Sequence, residues 1–205
     1  MSLKSILHVV GQALSVPCMV VLLILMIITV LQVGHVIAES FFERKHQKVD
    51  GISLVKKMQG KDNKDKRSII ENSGLYPREK EILFELFDQE RLTEEMKKAI
   101  AQKLLEEQEA HYGRILNITE TVVKLGPMFG LLGTLIPLGP GIVALGHGDT
   151  MTLSSSMETA FDTTIAGMIS AAVCSVLSGI RKRWYARNIE NVELLMEGIL
   201  QEEQL

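Results

Sequence analysis

Residues 5–38 make a run of 34 positions without one Asp, Glu, Lys or Arg. As a helix rising about 1.5 Å per residue it would reach roughly 50 Å, against a bilayer hydrocarbon core of about 30 Å. Two further stretches, 125–148 and 163–180, are equally free of charge. Elsewhere charge is concentrated: residues 39–118 hold 16 of the 22 basic and 16 of the 25 acidic residues. The averages (46% hydrophobic, 23% charged, net charge −3) describe an ordinary soluble domain and conceal this segregation. Segregation on this scale points instead to a polytopic membrane protein. The expected fold is all-α, with three transmembrane helices and long cytoplasmic helical extensions. A cleaved secretory signal is the competing reading of the first run. Its apolar part exceeds the usual 7–15 residues or so, and the cleavage site is poor.

Direction follows from the excess of Lys and Arg on cytoplasmic flanks. Arg44, Lys45 and Lys48 follow the first span, Arg114 and Lys124 precede the second, and Arg181, Lys182, Arg183 and Arg187 follow the third. The N-terminus offers Lys4, and the link Gly146-His147-Gly148-Asp149 offers no Lys or Arg. The expected organisation is a first span with an external N-terminus over 1–40 and a cytoplasmic helical domain over 41–118. The second and third spans occupy 119–180, and a cytoplasmic helical tail occupies 181–205. The first run is longer than a bilayer needs, so its N-terminal part is expected at or beyond the interface.

Within 41–118, residues 60–65 (Gly-Lys-Asp-Asn-Lys-Asp) read as a solvated linker, and Gly74 with Pro77 as a turn from which Pro77 opens a helix. Ile82, Leu83, Leu86 and Phe87 share one face of that helix. Thr93 is a candidate N-cap ahead of Glu94 and Glu95. From there the stripe Met96, Ile100, Leu104, Ile115, Ile118 and Val122 predicts one long helix running into the second span. In the tail Ile189, Val192, Met196 and Ile199 repeat at helical spacing, which carries the third span on as an amphipathic helix.

Inside the second span Gly126, Gly130, Gly133, Pro137 and Gly141 recur at spacings of 4, 3, 4 and 4. The third repeats the theme with Thr164, Gly167, Ala171, Cys174 and Ser178. Lipid gives no hydrophobic reward for helix association, so faces of small residues supply close packing instead. Pro137 and Pro140 each remove a backbone donor, which predicts a kink facing protein or a wet cavity. Two carboxylates lie in or near the third span. Asp162, within it, is costly in lipid unless paired, protonated or hydrated, so it marks an ion path, a partner contact or a solvated interface. Glu158 lies nearer the outside. Thr134, Thr163 and Thr164 supply hydroxyls that donate and accept.

The words Gly130-Leu131-Leu132-Gly133-Thr134 and Thr164-Ile165-Ala166-Gly167, with this topology, resemble the MotA/TolQ/ExbB family of ion-driven motor subunits. The layout is closest to the TolQ/ExbB branch. The resemblance implies a homopentamer around a dimer of a single-span partner similar to ExbD, TolR or MotB, whose spanning helix carries an aspartate. It further implies protons or sodium ions driving rotation or force in a prokaryotic inner membrane. The family's two lumen-lining threonines map onto Thr134 and Thr164, with Thr163 the neighbouring candidate. The family glutamate, five residues before the third-span threonine, falls on Thr159. Glu158 and Asp162 are the carboxylates at hand for its work. The candidate tasks are outer-envelope transport, with protein transport among them, envelope maintenance, motility or defence.

Two readings of other kinds stand beside it. One is a membrane scaffold or receptor whose cytoplasmic helices bind partners. The other is a stand-alone ion channel using Asp162. A near-neutral charge argues against nucleic acid as a partner. Cys18 and Cys174 both sit in apolar runs, and the five histidines are scattered, so no metal site, cofactor site or hydrolase constellation is expected. The protein is not expected to be an enzyme.

Overall fold

Helix α1 (Ser15–Ala38) is apolar on every side, with Val20, Leu23, Ile27, Val30 and Leu31 exposed and a thinner row of Cys18, Leu22, Leu25, Thr29 and Val36 buried. A helix of that kind belongs in lipid. This computed structural model describes residues 9–43, 51–88 and 92–202. A π-helical turn, Glu39–Glu43, ends the first span. Four elements lead to the last helix: α2 (Gly51–Met58), α3 (Asn63–Glu71), α4 (Pro77–Phe87) and then the long α5 (Glu94–Gly146), followed by α6 (Thr150–Glu202). Among the described residues every regular element is helical, and three helices are long and apolar enough to cross a membrane. The all-α class and the three spans expected from sequence are both present. The segment before Val9 and the bases Lys4, Arg44, Lys45 and Lys48 fall outside the described residues.

Local chemistry accounts for the boundaries. Thr93 precedes α5, and its carbonyl accepts from Lys97 N at 3.0 Å. Pro77 sits at the first helical position of α4, where its missing N–H is no loss. Asp149 caps the start of α6, its carboxylate accepting from Thr152 N at 3.0 Å. Gly148, at φ 80°, makes the tight turn between α5 and α6. Gly60, at φ 72°, turns the chain after α2. Here the linker is shorter than its composition suggested: helix α3 already starts at Asn63 and takes in Lys64 and Asp65. Helix α5 runs on through Pro127, Pro137 and Pro140.

The chain divides into two units, and α5 and α6 each contribute to both. The first takes the chain through Val36 with Asn117–Gly179; the second takes Ile37–Leu116 with Ile180–Leu205. The second unit has an ordinary core. Leu54, Ile70, Leu83, Leu86, Leu104, Val192, Leu195 and Met196 bury together, and the expected face of Ile82, Leu83, Leu86 and Phe87 is part of it. Val192, Met196 and Ile199 of the tail stripe are buried there too, with Ile189 half-buried at its start. Helix α2 lies on the tail so closely that a methyl on Gly51 would meet Asn191 Oδ1 at 2.8 Å.

The stripe expected along α5 is present in part: Leu104 and Val122 are buried, and Ile100 and Ile115 are half-buried. Met96 and Ile118 are exposed, and the buried row is Lys97, Ala101, Leu104, Gln108, Tyr112, Thr119 and Val122. Polar residues occupy about half of that row, so a pattern drawn from hydropathy chose Met96 and Ile118 where the adjacent Lys97 and Thr119 are buried.

Candidate functional site

The membrane unit is held together by its small residues. A methyl on Gly126 would stand 2.6 Å from the Gly167 carbonyl oxygen, and one on Gly133 would stand 2.6 Å from Thr163 Cβ and Oγ1. Gly130 faces the backbone of Thr163 and Thr164, and Gly141 faces Ser156 at 2.9 Å. A methyl on Gly167 would collide with the Gly126 carbonyl. The second and third spans therefore approach backbone to backbone along Gly126, Gly130, Gly133 and Gly141 on one side, and Ser156, Thr163, Gly167 and Ala171 on the other. Helix α1 adds polar ties of its own: Cys18 Sγ donates to Phe129 O at 3.3 Å, and Thr29 Oγ1 lies 3.5 Å from Cys174 Sγ.

This packing separates the three candidate threonines. Thr163 is buried against Gly133, and its hydroxyl donates back to its own helix, with Thr159 O and Ala160 O both at 3.0 Å. Thr164, one residue on and about 100° around the helix, is half-buried and donates to Ala160 O at 3.1 Å. Thr134 is half-buried in the second span and donates to Leu131 O at 2.7 Å. In both, the hydroxyl proton is spent inward, which leaves the oxygen lone pairs as acceptors. Such an oxygen suits a donor arriving from outside the helix pair: a water, or a protonated carboxyl.

The two carboxylates stand elsewhere. Glu158 and Asp162 are exposed and four residues apart, so they share one flank of the third span with the exposed Ile165 and Ile169. Residues two apart do not face each other on a helix, so Asp162 and Thr164 look to different sides. Thr159, where the family glutamate falls, is half-buried with its hydroxyl on Ser155 O at 3.1 Å. Pro137 and Pro140 are half-buried on α5, and the helix continues past both. Each removes the donor that would serve the carbonyl four residues earlier, at Gly133 and Ile136.

Comparison with known proteins settles the family. The model of the MotA/TolQ/ExbB proton channel family matches residues 36–194, most of the chain. The chain belongs to that family. The matched interval of this MotA/TolQ/ExbB protein contains both glycine-threonine words and the whole Gly126–Gly167 contact. It opens near the C-terminal end of the first span and closes within α6, so helices α2 to α4 belong to the family region too. No curated protein and no solved structure matches the chain.

The sequence did not reveal a second polar assembly, in the other unit. Arg181 is 1% exposed, and its Nε donates to Glu39 Oε2 at 3.3 Å. Tyr185, one turn on, stacks on Tyr112 with ring centres 4.2 Å apart and planes 9° from parallel. Burial and the adjacent Glu39 carboxylate push the Tyr185 phenol well above its usual range. Arg78 Nε donates to the buried Gln108 at 2.8 Å. Arg181 reads in sequence as one of three consecutive bases that mark a membrane edge. Its burial was hidden because only helix phase distinguishes it from the exposed Lys182 and Arg183.

Proposed function

We propose that this chain is the ion-conducting subunit of a membrane motor driven by the proton-motive force, with protons or sodium ions as the fuel. In this reading five copies surround a dimer of a single-span partner of the ExbD, TolR or MotB kind, whose spanning helix carries an aspartate. The assembly sits in a prokaryotic inner membrane, with the N-terminus outside and the 41–118 region and C-terminus in the cytoplasm. The observation that carries the reading is the family match over the second and third spans, combined with half-buried Thr134 and Thr164 that present acceptor oxygens.

The chemistry follows from those oxygens. A bare proton does not cross hydrocarbon, so it rides on a carboxyl or along hydroxyls and water. A protonated partner aspartate is a donor, and Thr134 and Thr164 accept from it; the ionised form loses that contact and turns to water. A unit charge falling through 100 mV releases about 2.3 kcal/mol, enough to bias one rotation step. Five copies around two create a symmetry mismatch, so successive protonations advance the rings in one direction. Thr163 contributes by spacing the spans, while Glu158 and Asp162 serve as the outward carboxylates from which ions reach the hydroxyls.

The test is the double variant Thr134→Val, Thr164→Val, with the complex purified in mild detergent and reconstituted. Gradient-driven work should disappear while complex mass and partner content stay as in the parent; full activity would refute the assignment. Ion flux through the chain reconstituted without any partner would favour a stand-alone channel using Asp162.

A further inference from the structure

The second unit buries a carboxyl for which the motor reading has no use. Glu79, third residue of α4, is 3% exposed. Its Oε2 accepts from Tyr76 N at 3.0 Å, which closes the first turn of the helix. The Tyr112 hydroxyl of α5 lies beside the same carboxyl, with Asn188 and Gln108 also around it, and Tyr112 stacks on Tyr185 of α6. Oε1 of Glu79 is buried with no hydrogen-bond partner. A buried carboxylate with an orphaned oxygen is costly, and a neutral carboxyl in the same place much less so.

We propose that Glu79 is a proton-operated latch: neutral, it holds the first turn of α4 closed against Tyr112 of α5; ionised, it releases that turn to water.

Several groups surround it. From α5 come Tyr112 and His111, the latter kept below its usual range by burial and by Arg78 and Arg114. On α4 itself Arg78 is directed to Gln108. From α6 comes Tyr185, with the Arg181–Glu39 pair behind it. Tyr112, raised by burial, stays protonated through the neutral range. Burial dominates at Glu79 and pushes it up to about 7 from 4.5, against the opposing hydrogen bonds of Tyr76 and Tyr112. The carboxyl therefore changes charge in the neutral range, where neither tyrosine does.

The sign follows from linkage. The closed turn binds its proton more tightly than the open turn, so closure is strongest at low pH and weakens as pH rises from about 4.5 through about 7. Opening should become about tenfold more frequent between pH 6 and pH 8. In a subunit that delivers protons to this compartment, accumulated protons would tighten the latch; that consequence rests on the motor reading, and the latch itself does not.

Hydrogen exchange on the full chain in lipid nanodiscs tests it without reference to ion flux. After correction for the intrinsic pH dependence of exchange, peptides covering residues 76–81 should open about tenfold more at pH 8 than at pH 6. Glu79→Gln, fixed in the neutral form, should show no such rise, and His111→Gln should keep it. Difference infrared spectra of the parent protein should show a protonated carboxyl band that titrates near neutrality and is missing from Glu79→Gln. Where Glu79→Gln does not fold, Tyr112→Phe replaces it: loss of a bond to the ionised form should move the midpoint upward. A flat parent profile, a rise that survives in Glu79→Gln, a rise that disappears in His111→Gln, or an unmoved midpoint in Tyr112→Phe would each overturn the latch.

Discussion

The two units use opposite rules for what lies inside. In the second unit, large aliphatic side chains such as Leu83, Val192 and Leu195 are fully buried, and water is the solvent they avoid. In the membrane unit many large side chains are outside, with Leu131 at 60% and Ile169 at 59% exposed; Leu22, Leu25 and Val122 are buried, but the contact between the second and third spans is made by Gly126, Gly130, Gly133 and Gly167. Lipid accepts leucine as readily as another helix does, so only close backbone approach and polar ties distinguish the packed state there. One helix, α5, obeys both rules along its length, because its buried face changes from Leu104 and Tyr112 to Gly126 and Gly133.

Substitutions can break or sharpen that contrast. The largest effect is expected at Arg181: replacement by Ala removes a fully buried guanidinium and leaves the partly buried Glu39 without its ion pair, and should destabilise the second unit by about 3 kcal/mol, the low end for a buried pair, read by chemical denaturation in nanodiscs. Arg181→Met together with Glu39→Gln should recover most of that loss, because no uncompensated charge remains. Next is one change made in both units. Leu195→Ala should cost about 3 kcal/mol, while Leu131→Ala in the isolated chain should stay below about 0.5 kcal/mol. Equal losses would show that Leu131 is covered in the folded chain and would erase the contrast. Gly133→Ala should cost about 1–2 kcal/mol, since the new methyl meets Thr163 Cβ and Oγ1 at 2.6 Å, and Thr163→Gly in the same chain, which removes both atoms, should relieve that contact. The smallest effect is expected from Thr163→Ser, below about 1 kcal/mol, because its back-bonded hydroxyl and small volume are largely kept.

The site was legible in part. The glycine spacing of the second span announced a close contact, and that contact is there, with Thr163 and Gly167 opposite. Which of two adjacent threonines lies inside it was not legible, since Thr163 and Thr164 are alike in every property except helix phase. Met96 and Ile118 of the α5 stripe missed the buried face for a related reason. Lys97, Gln108 and Thr119 are buried, and no hydropathy pattern assigns polar side chains to an interior. The carboxylates Glu158 and Asp162 were visible as residues, but their shared flank, away from Thr164, depends on how the helix turns.

Composition along the chain was enough to establish the solvent, the number of spans, the long helices and the glycine face. These follow from where charge is absent and from the period of a helix, which are properties of neighbours along the chain. Partners distant along the chain were a different matter. Arg181 met Glu39, Glu79 met Tyr112 and Thr163 met Gly133 only once folded helices had acquired a rotational phase against one another. A few tens of degrees of that phase separate a lipid-facing side chain from a buried one, and packing sets that angle.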